Sequence, residues 1–120
     1  MSLELNRQQK QRCRMKIYEV INAINNLNEF IKKKYEIPFV LRRAIKKNYN
    51  VLLEEYKIYD EQRKEIVAKE DEQSATEELK TLLNTDIDVE VVKVNVDVLA
   101  DIKMPYTDEL LIEFMLNEEE

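Results

Sequence analysis

The stretch PFVLRRAIKKNYNVLLEEYKIYDEQRKEI, Pro38 to Ile66, decides the fold. Its apolar side chains Leu41, Ile45, Tyr49, Leu52, Tyr56, Tyr59 and Ile66 recur at steps of three, four and seven, close to a heptad seam in which Arg63 takes the missing step. Pro38 disfavours helical geometry at Ile37, and its fixed φ suits the first turn of a new helix. The spacing predicts one helix from 38 to about 70, roughly 50 Å long at 1.5 Å per residue. Tyr49, Tyr56 and Tyr59 fall in or beside the seam, where aromatic rings serve as core.

Upstream, Ile17, Val20, Ile21, Ile24, Leu27 and Ile31 lay a single stripe along a second helix that should stop near Lys34. Only Tyr35, Glu36 and Ile37 separate the two helices, so they must fold back as an antiparallel hairpin. Residues 1–14 are polar and basic and read as an appended or weakly ordered lead, with Met15 as a candidate start. Downstream, the charged run Lys69 to Gln73 ends the long helix. Ser74 with Glu77 reads as a capping box for a short helix carrying Leu79, Leu82 and Leu83, with Asn84 as a left-handed terminator.

Ile87 to Leu99 is strand-like, with β-branched residues alternating with polar ones. The phase changes midway: Ile87, Val89 and Val91 are odd, whereas Val92, Val94, Val96 and Val98 are even. A straight strand would turn half of these to water, so a β-bulge or a crossing between sheet surfaces is expected at Val91-Val92. After Pro105, Thr107 is an N-cap candidate for a short last helix whose apolar face is Leu110, Leu111, Phe114 and Met115. The fold class is thus mainly α with a small β element: a long helical hairpin over 15–73, then a mixed part over 74–120 with a short helix, a bulged or bent β segment and a short C-terminal helix. One domain over 1–120 suits the length.

Composition narrows function. The 120 residues contain no glycine and no histidine, and a single cysteine, Cys13. That removes glycine-rich phosphate loops, the commonest general base and metal ligand, intrachain disulfides and thiolate zinc clusters. Ser2, Ser74 and Cys13 lack an activating base, so no catalytic residue is assigned and an enzyme is not expected. Asp86, Asp88 and Glu90 alternate on one strand face, where carboxylates can hold Mg²⁺ or Ca²⁺; an ordinary solvated face has the same pattern, and neither a metal nor a cofactor is assigned. The absence of a long apolar run points away from membranes and towards the cytoplasm.

Charge is uneven. Residues 1–60 hold 13 Lys/Arg against 7 Asp/Glu and residues 61–120 hold 6 against 18, so the halves carry +6 and −12. Either the two halves or two copies neutralise each other, or a basic surface binds nucleic acid. Lys32, Lys33, Lys34, Arg42, Arg43, Lys46 and Lys47, with Tyr35 and Phe39, form the basic-aromatic cluster that the last reading needs. It is disfavoured by a sequence pI near 4.9.

Met15-Lys16-Ile17-Tyr18-Glu19-Val20-Ile21-Asn22-Ala23-Ile24-Asn25-Asn26-Leu27, then Pro38, Ala44, Asn48, Leu53-Glu54-Glu55-Tyr56 and Gln62-Arg63, resembles small uncharacterised proteins of bacteriophages and prophages. Leu82-Leu83-Asn84, Asp101-Ile102, Thr107-Asp108-Glu109-Leu110 and Phe114-Met115 are similar to the close of the same domain-of-unknown-function group. The likeness covers roughly 15–117, and the basic lead before Met15 departs from the group's short start. It implies a viral or prophage origin and a bacterial host cytoplasm, and brings no catalytic residues.

A lone valine-rich strand must find a partner for its backbone. Pairing with the same strand of another copy, or with another protein, is expected; two short strands formed by a bend at Val91-Val92 are the alternative. The expected function is a protein-protein interaction or assembly module that self-associates as a dimer or tetramer, with Val92, Val94, Val96, Val98, Leu110, Leu111, Phe114 and Met115 as contact residues. A regulatory or anti-host binder of nucleic acid, or of a nucleic-acid-associated protein, is the alternative function.

Overall fold

The structure is a computed structural model describing residues 9–69 and 71–117. It is mainly helical with a small three-stranded sheet. In chain order the elements are β1 (Gln9–Lys16), α1 (Ile17–Lys33), α2 (Phe39–Lys69), α3 (Glu72–Leu83), β2 (Asp86–Asn95), a 3-10 turn (Val96–Leu99), α4 (Tyr106–Glu109), a second 3-10 turn (Leu110–Met115) and β3 (Leu116–Asn117).

The hairpin forms where the apolar periodicity places it. Leu41, Ile45, Leu52 and Tyr59 of the seam are buried, and Tyr49, Tyr56 and Ile66 are half-buried. Pro38 starts α2, its carbonyl accepting the amides of Leu41 and Arg42, both at 3.1 Å. α1 ends on Lys34, whose φ of 58° is left-handed. In a chain without glycine this non-glycine residue takes the terminating conformation and donates its amide to the Ile31 carbonyl at 3.1 Å. The α1 stripe drifts from the expected one: Ala23 and Phe30 are buried, while Ile31 is 50% exposed. A helix turning 3.6 residues per turn carries the inward face from Leu27 to Phe30, leaving Ile31 a full 100° further round.

α3 is present, but its cap differs from the expected Ser74–Glu77 box. Asp71 is the N-cap and accepts the Ser74 amide at 2.8 Å, which holds its carboxyl below the ordinary carboxylate range. Asn84 ends the helix without left-handed geometry, at φ −95°, donating its side-chain amide to the Lys80 carbonyl.

The lead contributes the largest departure. Residues 9–16 form β1, which runs antiparallel to β2 from Gln9↔Lys93 to Lys16↔Asp86, so β2 has a partner in its own chain; residues 1–8 lie outside the described part. QKQRCRMK has no apolar alternation beyond Cys13 and Met15, and those two side chains pack on the core between solvent-facing Arg12, Arg14 and Lys16. β2 ends at Asn95, where the chain bends into a 3-10 turn, and β3 pairs with its last two residues in parallel. The ladder with β1 carries no bulge. The valine phase change is real and is met differently: Val89, Val91, Val92 and Val94 are all at most 4% exposed, because β2 enters the core and is covered on both faces from Val91 onwards.

Candidate functional site

Three of the eight expected contact residues are core. Val92, Val94 and Met115 are buried, Val96, Val98, Leu111 and Phe114 are half-buried, and only Leu110 is exposed. The physical reason is that β2 does not offer its valine stretch as an open edge. The Ile17 amide donates to the Thr85 carbonyl at 3.1 Å, which extends the ladder and sets odd-numbered residues in its hydrogen-bonded pairs. Val92 therefore turns its amide and carbonyl away from β1, into the core.

Asn48 of α2 meets them. The Val92 amide donates to Asn48 Oδ1 at 2.7 Å, and Asn48 Nδ2 donates to the Val92 carbonyl at 2.9 Å and to Met115 Sδ at 3.5 Å. One buried carboxamide thus does for Val92 what a neighbouring strand would do, and β3 takes over at Val94. Lys93 Nζ ties the following turn to the strand through the Phe114 carbonyl at 2.8 Å. The signal in the sequence was a polar residue on the inward face of α2, between Ala44 and Leu52.

The acidic strand face is met in part within the chain. Asp86, Asp88 and Glu90 stand directly opposite Lys16, Arg14 and Arg12, and Lys16 Nζ lies 3.3 Å from Asp86. Opposite charges on facing cross-strand positions stabilise the pair. Among the described residues no group of His, Cys, Asp and Glu is arranged to hold a metal ion. Cys13 is a free, half-buried thiol.

The basic cluster at the closed end of the hairpin is different. Here Phe30, Ile31, Tyr35, Ile45 and Tyr49 line a groove of about 510 Å³ whose cations are Lys34, Arg42 and Lys46. The rings of Phe30 and Tyr35 pack with centroids 5.7 Å apart, and the Arg42 guanidinium lies 6.0 Å from the ring centroid of Phe39, itself 70% exposed. Neighbouring Lys32 and Lys33 have acids, Glu29 at 3.9 Å and Asp108 at 3.6 Å. Lys34, Arg42 and Lys46 form no ion pair among the described residues.

Tyr35 fixes one wall. Its hydroxyl donates to Asp108 of α4, and that bond, with burial and the charge of Asp108, holds the phenol above its ordinary pKa. The groove is thereby anchored to the C-terminal part of the chain. Its apolar floor can hold aliphatic or aromatic side chains, and its cations select negative charge beside them.

Comparison of the chain with protein-family models, with characterised proteins and with solved structures finds no match.

The groove's side chains were legible in sequence as charge and aromatic content, but not as a groove. Ile31 was counted as core, and it is its exposure that opens the apolar wall to solvent. The other shifted groups, Asp60 and Arg63, belong to a local ion cluster on α2: Arg63 at 2.8 Å and Lys64 at 3.2 Å hold the Asp60 carboxyl below its ordinary range. No described helix is long and apolar enough to cross a membrane.

Proposed function

We propose that the chain is a non-catalytic, self-associating interaction module of phage or prophage type, working in the host cytoplasm through the closed end of its helical hairpin. The observation that carries the reading is the groove between α1 and α2. It combines an apolar lining that Ile31 opens to solvent with three cations that form no ion pair among the described residues. An apolar surface rimmed by charge of one sign is what a specific polypeptide contact uses, the apolar part for affinity and the charge for register. The valine stretch of β2, satisfied by β1, Asn48 and β3, has no part in it.

Sedimentation or light scattering across a range of concentrations tests the reading, with the expected result a mass that rises above the monomer. Ile31→Asp, at an exposed position, should lower that mass at unchanged helicity. A strict monomer at every concentration overturns self-association.

A second reading, nucleic-acid capture, is favoured by exposed Phe39 beside Arg42, with Arg43, Lys46 and Lys47 further along α2. Titration with single-stranded DNA and RNA at low and moderate salt decides it, because phosphate-driven binding falls steeply as salt rises.

A further inference from the structure

The groove follows α2 from Arg42 to Asn50, roughly 12 Å at 1.5 Å per residue, or about two helical turns. Whatever fills it must present apolar side chains about one turn apart with carboxylates beside them. The chain displays such a surface itself.

Tyr106 and Leu110 are four residues apart across α4 and so share a face, and Glu113 follows just beyond the kink at Ile112, whose φ is −117°. Tyr106 is 68% exposed, Leu110 is 40% exposed, Glu113 is exposed and Glu109 half-buried between them. Neither glutamate pairs with a cation among the described residues. The surface is apolar and acidic where the groove is apolar and basic.

We infer that the groove of one copy receives the Tyr106–Glu113 surface of a second copy, and that the exchange is mutual. The inference rests on the self-association proposed above and names its occupant. Mutual exchange follows from placement. Asp108, inside the acidic surface, accepts a hydrogen bond from Tyr35, a wall of the groove, and lies 3.6 Å from Lys33, so both surfaces share one end of the molecule. A twofold axis near that junction seats each copy in the other at once, giving a closed dimer with two identical contacts rather than an open chain. The same anchoring keeps the surface out of the groove of its own chain: Asp108 is buried against the hairpin, while Tyr106 points to solvent.

Two charge-reversed chains test this. In Arg42→Glu with Lys46→Glu the groove becomes acidic; in Glu109→Lys with Glu113→Lys the surface becomes basic. Each alone should lose the dimer, with Kd rising on the order of tenfold or more by like-charge juxtaposition. An equimolar mixture should recover it, since each chain then finds its complement at both contacts, and the recovery should weaken with salt. Leu110→Ala, which leaves the charge unchanged, should also weaken the wild-type dimer; circular dichroism of each variant confirms an intact fold. If the wild type dimerises and the reversed chains dimerise equally well, the occupant is wrong while self-association stands. If the wild type remains a monomer throughout, both fall.

Discussion

The sheet and the hairpin groove both gather Lys and Arg next to apolar residues, yet they are opposite in how those groups are satisfied. On the sheet, Arg12, Arg14 and Lys16 face Glu90, Asp88 and Asp86 across the ladder, and the inward-turned backbone of Val92 is met by Asn48. In the groove, Lys34, Arg42 and Lys46 have no acid among the described residues, and Ile31 is left half in water. Basic charge alone therefore says little about partners. What distinguishes a contact surface is charge and apolar area that the chain's own fold does not absorb.

Breaking the closed region should cost most. Asn48→Ala strands the Val92 amide and carbonyl in the core and should lower stability by about 3 kcal/mol, read from the denaturant midpoint. A loss under about 1 kcal/mol would mean that the carboxamide is not what closes the strand. Next in size, Arg12→Glu with Arg14→Glu sets like charges opposite Glu90 and Asp88 and should cost about 1–2 kcal/mol, partly recovered by salt. The matching reversal in the groove, Arg42→Glu with Lys46→Glu, should change monomer stability by no more than about 0.5 kcal/mol, because both side chains are exposed and the fold loses only the solvent-facing contact of Arg42 with the Phe39 ring. Equal losses in sheet and groove would erase the distinction.

The smallest effect concerns acid. Asp60 and Asp71 both have folded-state pKa values below the ordinary range, Asp60 through hydrogen bonds from Arg63 and Lys64, Asp71 through the Ser74 amide. A depressed carboxyl contributes stability that is fully present above its unfolded pKa and lost as pH falls through the folded one. Thermal melts should thus show a decline below the ordinary carboxylate range that Asp60→Asn with Asp71→Asn makes shallower.

The helices were readable because their evidence is local. Leu41, Ile45, Leu52 and Tyr59 repeat at helical spacing, and Pro38 marks the start of α2 wherever the chain is placed. The role of β1 was not readable: in QKQRCRMK the inward side chains Cys13 and Met15 are too few to signal a strand, and the pattern becomes meaningful only opposite Asp86 to Lys93. Val92 and Val94 of the valine ribbon went into the core for the same reason, since a partner strand and a buried asparagine 44 residues away closed what looked open. Leu110 was the expected contact residue left exposed, and Tyr106 beside it carried no sequence signal beyond its type.

The order of amino acids by itself determined the two long helices, the turn between them, the valine phase change and the lack of glycine and histidine. All of these are set by neighbours within a few positions or by composition. Only the tertiary structure decided which charges cancel and which remain, because cancellation depends on distances between residues far apart in the chain. Lys16 pairs with Asp86 across the sheet at 3.3 Å, while Lys46 forms no ion pair among the described residues, and nothing in either residue's local context separates the two.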